Sequence, residues 1–312
     1  MAEFVIIPDT SCDLVRPLRE RFGIDDYISG LVYFPDGRCE KSDLDWERYD
    51  PKEFYESMKD RKVSYKTSCA PTGDIIETFE RHLEQGKDIL CITLSSALSG
   101  TFQTCELVKN QLSEKYPERK IICIDSMRYS TALSMLVIAA AVKRKEGATL
   151  EETAQYIEEN KHCLHQIGPM DDLFFLCKTG RISNFKAFFG TLVGINPMAD
   201  FNREGLSEVL GKFKGKKLAF DAVIKYMRKT IKNPEDQIIF VTHSNRPAAA
   251  EALKEMIIKE FNPKEVIISH VGMSCGVSVG PGLCAAFYWG EEISAGNFAE
   301  KAIMQEIIEG QK

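Results

Sequence analysis

The chain has 312 residues, of which 44% are hydrophobic and 28% charged, with a formal net charge of -6 at pH 7. That length predicts about two ordinary globular domains and excludes disorder or a collagen-like repeat as the main state. The acidic balance argues against general nucleic-acid binding, which needs basic surface.

Membrane and redox expectations follow from the same composition. The longest apolar stretch, 132–142, is about half the ~20 residues needed to cross a bilayer. The N-terminal MAEFVIIPD lacks a basic region followed by a long apolar one. A cytoplasmic protein without a membrane span is therefore expected. Its ten cysteines include no C-x-x-C pair, and Cys91, Cys123 and Cys284 sit in apolar runs. Free, mostly buried thiols are the expectation, with no zinc site and no catalytic thiol.

In chain order, the first elements are short apolar runs at 4–7, 88–94 (DILCITL) and 120–124 (KIICI). Each ends in small polar residues and is followed by a helix-like segment, which predicts buried parallel strands in βαβ units. Thr149 and Glu152 form a capping-box pattern for a helix reaching about Cys163. The pair Gly168–Pro169 punctuates the chain near a domain boundary. Beyond it, 195–201 and 206–213 flank Asn202-Arg203-Glu204-Gly205 as a β-hairpin. A helix over 216–229, a strand over 237–242, a helix over 248–260 and a strand over 265–271 follow. The segment 272–282 (GMSCGVSVGPG) reads as a glycine-rich loop, 283–289 as a further strand, and Asn297 with Glu300 as the cap of a last helix. The fold class is α/β with two domains: a parallel-sheet domain over 1–166 and a mixed-sheet α/β domain over 167–312.

Motifs for common chemistries are missing. There is no phosphate-binding G-x-x-x-x-G-K-[ST], no H-E-x-x-H and no G-x-S-x-G. The glycine-rich 272–282 lacks the strand-turn-helix context of a dinucleotide site. No metal or cofactor is expected. What the sequence does carry is hydroxyl density at strand ends, in 65–74 (YKTSCAPTGD) and 94–101 (LSSALSGT). Hydroxyls and free N–H groups at a helix start suit an anionic head group. Helix capping and turn formation use the same residues, so both readings stand at this point. Phe174, Phe175, Phe185, Phe188, Phe189 and Phe201, with ten Met in the chain, fit either an adaptable apolar tunnel or an ordinary core.

Several of these segments together carry a resemblance. They are Ile7-Pro8-Asp9-Thr10-Ser11, Thr67-Ser68 with Gly73-Asp74, Ser95-Ser96-Ala97-Leu98-Ser99-Gly100-Thr101, Asp125-Ser126, Lys178-Thr179-Gly180-Arg181-Ile182, Ile195-Asn196-Pro197 and Gly280-Pro281-Gly282. In this order, and over nearly the whole chain, they resemble the DegV family of bacterial fatty-acid-binding proteins. The resemblance implies two α/β domains with an apolar ligand tunnel between them. It implies a long-chain fatty acid whose carboxylate is bound by Thr67 and Ser68 and by Ser95, Ser96 or Ser99. It also implies a carrier rather than an enzyme, presenting that carboxylate to a separate dihydroxyacetone-kinase-like fatty acid kinase for phospholipid synthesis. Arg181 matches the family arginine associated with that encounter. Ser278 stands where the family pattern has a histidine, and its hydroxyl is expected to complete the carboxylate network directly or through water. The alternative function is an enzyme acting on an acyl or phosphorylated substrate, with Asp9, Asp74 and Asp125 as general bases or magnesium ligands.

Overall fold

The computed structural model describes residues 3–24, 26–171, 173–182 and 195–310. The chain divides into two compact units. Unit 1 comprises Met1–Tyr49, Ser64–Lys161 and Gly272–Cys275, and unit 2 comprises Asp50–Val63, His162–Val271 and Gly276–Lys312. The sequence suggested a single cut at 166/167, whereas this partition has five changes of unit along the chain from Tyr49 to Gly276.

The described residues of unit 1 include the strands β1 (Phe4–Pro8), β2 (Leu31–Tyr33), β3 (Cys39–Lys41), β4 (Lys66–Ser68), β5 (Asp88–Thr93) and β6 (Ile121–Asp125). β1, β5 and β6 form a parallel sheet in that order, with Ile7 opposite Cys91 and Cys91 opposite Cys123. Val5, Ile7, Ile89, Cys91 and Ile121 turn one face to a core that includes Phe79 and Val108, from the helices Thr72–Leu83 and Thr101–Lys115. The apolar run 132–142 lies in a third helix, Thr131–Lys145, which touches β1 and β5 and is buried along most of its length. Covering both faces in this way explains why the strands read as unbroken apolar runs. The capping box at the helix Leu150–Asn160 forms as expected, with Glu152 N–H donating to Thr149 Oγ1 at 3.1 Å and Thr149 N–H to Glu152 Oε2 at 2.8 Å. The other three strands make a small antiparallel sheet, β3-β2-β4.

Unit 2 holds β7 (Leu164–Pro169), β8 (Ile195–Phe201), β9 (Ser207–Lys214), β10 (Ile238–His243), β11 (Glu265–His270) and β12 (Cys284–Trp289). They form one mixed sheet in the order β11-β10-β12-β7-β8-β9, with β10 and β11 parallel and the other pairings antiparallel. The helices Lys216–Thr230, Pro247–Phe261 and Phe298–Glu309 contribute Val223, Leu253 and Met304 to a core against Ile239, Val241 and Ala286.

Three local expectations change. Gly168–Pro169 lies inside β7, opposite Ala199 and Met198. A Cβ at Gly168 would stand 2.2 Å from Cys284 O, so this glycine permits close strand packing. The glycine-rich segment forms a helix, Met273–Val279, in which Gly276 serves packing: a Cβ there would stand 2.5 Å from Tyr55 Oη. Asn297 holds the N-cap position of the last helix without a side-chain capping bond; its side chain donates to Phe201 O, and Glu300 accepts from Ser294 N and Oγ. Among the described residues, no helix is long and apolar enough to cross a membrane.

Candidate functional site

Parallel pairing brings the carboxyl ends of β1, β5 and β6 to one edge of the sheet, where ligands bind in folds of this kind. Two carboxylates tie that edge together. Asp9 Oδ1 accepts from Ser11 N and Oδ2 from Leu94 N, both at 2.7 Å. Burial raises the Asp9 pKa, and these backbone donors oppose the rise. Asp125 Oδ1 accepts from Ser96 N and Met127 N, both at 3.1 Å. Arg128 lies fully buried next to Met127 and donates from Nη1 to Met127 O at 2.7 Å. Its guanidinium adds a fixed positive charge in a low-dielectric setting, which favours a nearby anion.

The small antiparallel sheet is held to the same edge. Ile28 N donates to Pro8 O and Thr10 N to Ile28 O, so the chain at Ile28 runs beside β1 before entering β2. β2 then pairs Val32 with Thr67 and Leu31 with Ser68. Gly30 sits at the junction: a Cβ there would be 3.0 Å from Ser68 O and 3.6 Å from Thr10 Oγ1. Any other residue would push these groups apart.

The candidate hydroxyls differ in what they already do. Ser95 is fully buried; its N–H donates to Arg128 O, and its Oγ accepts from Ala97 N at 3.3 Å. Ser99 Oγ accepts from Thr101 N and shares a hydrogen bond with Thr101 Oγ1, capping the helix that follows. Ser68 Oγ donates to Cys69 O at 3.3 Å. Thr67 is exposed and Ser96 half-buried, and among the described residues neither hydroxyl makes a hydrogen bond. The Ser95 bond uses its oxygen alone, so among the described residues its hydrogen, like the hydroxyls of Thr67 and Ser96, has no acceptor, while Ser99 shares its hydroxyl with Thr101.

Ser278 and Arg181 belong to unit 2. Ser278 is half-buried in the helix Met273–Val279. Arg181 is exposed just after Gly180, which ends the helix Phe174–Thr179 in the left-handed region at φ 70°; its Nη1 donates to Thr179 O. Phe174 and Phe175 meet edge to face, Phe175 packs where a Gly280 Cβ would stand, and Phe201 is fully buried. Phe185, Phe188 and Phe189 lie outside the described residues.

The chain belongs to a known family. The profile of the family described as "Uncharacterised protein, DegV family" matches residues 3–291.

It is a DegV-family protein.

A DegV domain-containing protein of Clostridium perfringens (strain 13) is 33% identical over 291 residues, covering 93% of this chain and 99% of its own. A solved DegV lipid-binding protein from Thermotoga maritima is similar at a TM-score of 0.78 and 25% identity, covering 93% and 99% of the two chains. Another Thermotoga maritima protein, described as revealing fatty acid binding function, is similar at a TM-score of 0.77 and 25% identity, covering 93% and 100%. The chain, with its parallel and its mixed sheet, thus has the two-domain α/β fold of DegV structures.

Of the three aspartates, Asp9 and Asp125 stand at strand ends, whereas Asp74 lies in the first turn of the helix Thr72–Leu83. Asp9 and Asp125 are engaged by backbone N–H groups, and Asp74 Oδ2 pairs with Lys41 Nζ at 2.8 Å. Among the described residues, no cluster of three or more His, Cys, Asp or Glu could hold a metal ion. One buried constellation was invisible in sequence. Asp200 accepts from Tyr226 Oη, Gln166 N and Phe201 N and lies 2.5 Å from His165 Nδ1. Both side chains of the His165–Asp200 pair are fully buried, so it braces the core. Thr10, in the polar cluster after β1, meets two serines that the sequence does not single out, Ser42 and Ser274. Thr10 Oγ1 lies 3.0 Å from Ser274 Oγ, which donates to Ser42 Oγ at 2.8 Å. Only Thr10 had a signal, the small polar cluster after β1; Ser42 and Ser274 are 232 residues apart.

Proposed function

We propose that this protein binds a long-chain fatty acid in an apolar tunnel, holds its carboxylate through hydroxyls, and presents it to a separate fatty acid kinase. The observation that carries the head-group assignment is the set of hydroxyls with a hydrogen still to give, Thr67, Ser95 and Ser96, beside strand ends whose carboxylates are already engaged. Family membership and similarity to two solved relatives described as lipid-binding and fatty-acid-binding support the ligand class. Ser68, Ser99 and Ser278 complete the hydroxyl network around the carboxylate. Burying the acyl chain contributes roughly 0.8 kcal/mol per CH2, so the tail supplies most of the affinity. The hydroxyls keep the buried head group from being left without partners. Exposed Arg181 would meet an anionic surface or phosphate on the kinase.

The test is displacement of a fluorescent fatty acid. Thr67→Ala and Ser96→Ala should each weaken binding by about 1–3 kcal/mol, since a carboxylate loses a donor in each case. Wild-type affinity in both variants would move the carboxylate elsewhere.

A further inference from the structure

The hydroxyls of Thr10, Ser274 and Ser42 form a chain whose direction can be worked out. Ser274 Oγ donates to Ser42 Oγ at 2.8 Å. A serine hydroxyl has one hydrogen, so toward Thr10, 3.0 Å away, Ser274 can only accept. Thr10 must then donate to Ser274, and its own oxygen accepts from Gly30 N at 3.1 Å. The Ser42 backbone N–H is committed to Gly30 O at 2.8 Å. This leaves one hydrogen over, on the Ser42 hydroxyl. Ser42 is only 5% exposed, and among the described residues nothing accepts that hydrogen. A buried donor without an acceptor is rare in folded proteins and costly to keep.

We infer that Thr10, Ser274 and Ser42 are a one-way hydrogen-bond chain whose terminal donor, the Ser42 hydroxyl, is held for a carboxylate oxygen of the ligand. This rests on the fatty-acid reading above and adds residues to its head-group site. Aligned donors polarise one another, so the last hydrogen in such a chain is a better donor to an anion than an isolated serine. The Thr10 end of the chain lies beside the Ser68 backbone, because Gly30 brings Thr10 Oγ1 and the Ser68 carbonyl within contact of one point. Thr10 and Ser274 are positioning residues here, and Ser42 is the contact.

The experiment compares the affinity of one long-chain fatty acid with that of the fatty alcohol of equal length, in wild-type protein and in Ser42→Ala, Ser274→Ala and Ser274→Thr. Loss of a hydrogen bond to a charged group predicts that Ser42→Ala weakens the acid by about 10- to 100-fold while the alcohol changes by about twofold or less. Ser274→Ala should lower the acid-to-alcohol ratio in the same direction, and Ser274→Thr, which keeps the hydroxyl, should restore it. A merely structural role would weaken both ligands alike. If Ser42→Ala fails to fold, the Ser274 pair decides. Wild-type protein that prefers the acid, with variants that keep its ratio, overturns this inference alone. Wild-type protein that binds neither ligand overturns it together with the fatty-acid reading.

Discussion

Asp125→Ala separates a structural carboxylate from a chemical one. The Oδ1 atom holds Ser96 N and Met127 N at 3.1 Å each, joining the loops after β5 and β6. Met127 is left-handed at φ 51°, a conformation that needs such a tether. Removing a charged acceptor of this kind costs about 1.5–3 kcal/mol per hydrogen bond. Ser96 is half-buried, so water can replace one of the two bonds in part. The expected loss is therefore about 2–3 kcal/mol rather than the full sum of both bonds. Guanidinium denaturation should read it, with a weaker fatty-acid affinity because Ser96 is no longer held. Asp125→Asn keeps an acceptor oxygen and should recover most of both. Stability within about 0.5 kcal/mol of wild type for the alanine variant would refute the structural role. Magnesium-dependent turnover in wild type, lost in both variants, would favour the enzyme reading instead.

Two further outcomes follow from single side chains. Burial pushes Asp13 up to about 7, against the opposing hydrogen bond from Ser130 Oγ. The folded state thus keeps a proton that the unfolded chain releases above pH ~4, so stability should fall as pH rises from about 4 to 7 and level off beyond. With about three units between 3.8 and 7, the upper bound is about 4 kcal/mol; Asp13→Asn should flatten this profile in urea titrations at pH 5 and 8, and an unchanged slope would contradict the assignment. Arg181→Ala should retain fatty acid while slowing acyl-phosphate formation with the cognate kinase, and unchanged coupled turnover would remove Arg181 from the handover.

The parallel strands were legible because both faces of β1, β5 and β6 are covered, giving apolar runs that no turn residue interrupts. The small sheet was not. Its strands are three residues each, too short for any periodicity, yet β4 carries Thr67 and Ser68. Glycine misled twice for one physical reason. At Gly168 and Gly276 the missing Cβ admits Cys284 O and Tyr55 Oη, so both residues serve packing inside regular elements. Sequence left Ser95, Ser96 and Ser99 equivalent, since the backbone N–H groups from which Ser95 and Ser99 accept are set by the turn and not by residue type. Ser42 and Ser274 meet only through the fold, and no local pattern joins residues so far apart.

The central claim is that the chain carries a fatty acid, and organic extraction of freshly purified, undelipidated protein followed by mass spectrometry tests it most directly. A preformed apolar site should retain about one long-chain fatty acid per chain through purification. A clean extract, with no fatty acid above the level of a control protein prepared alongside, would contradict the account.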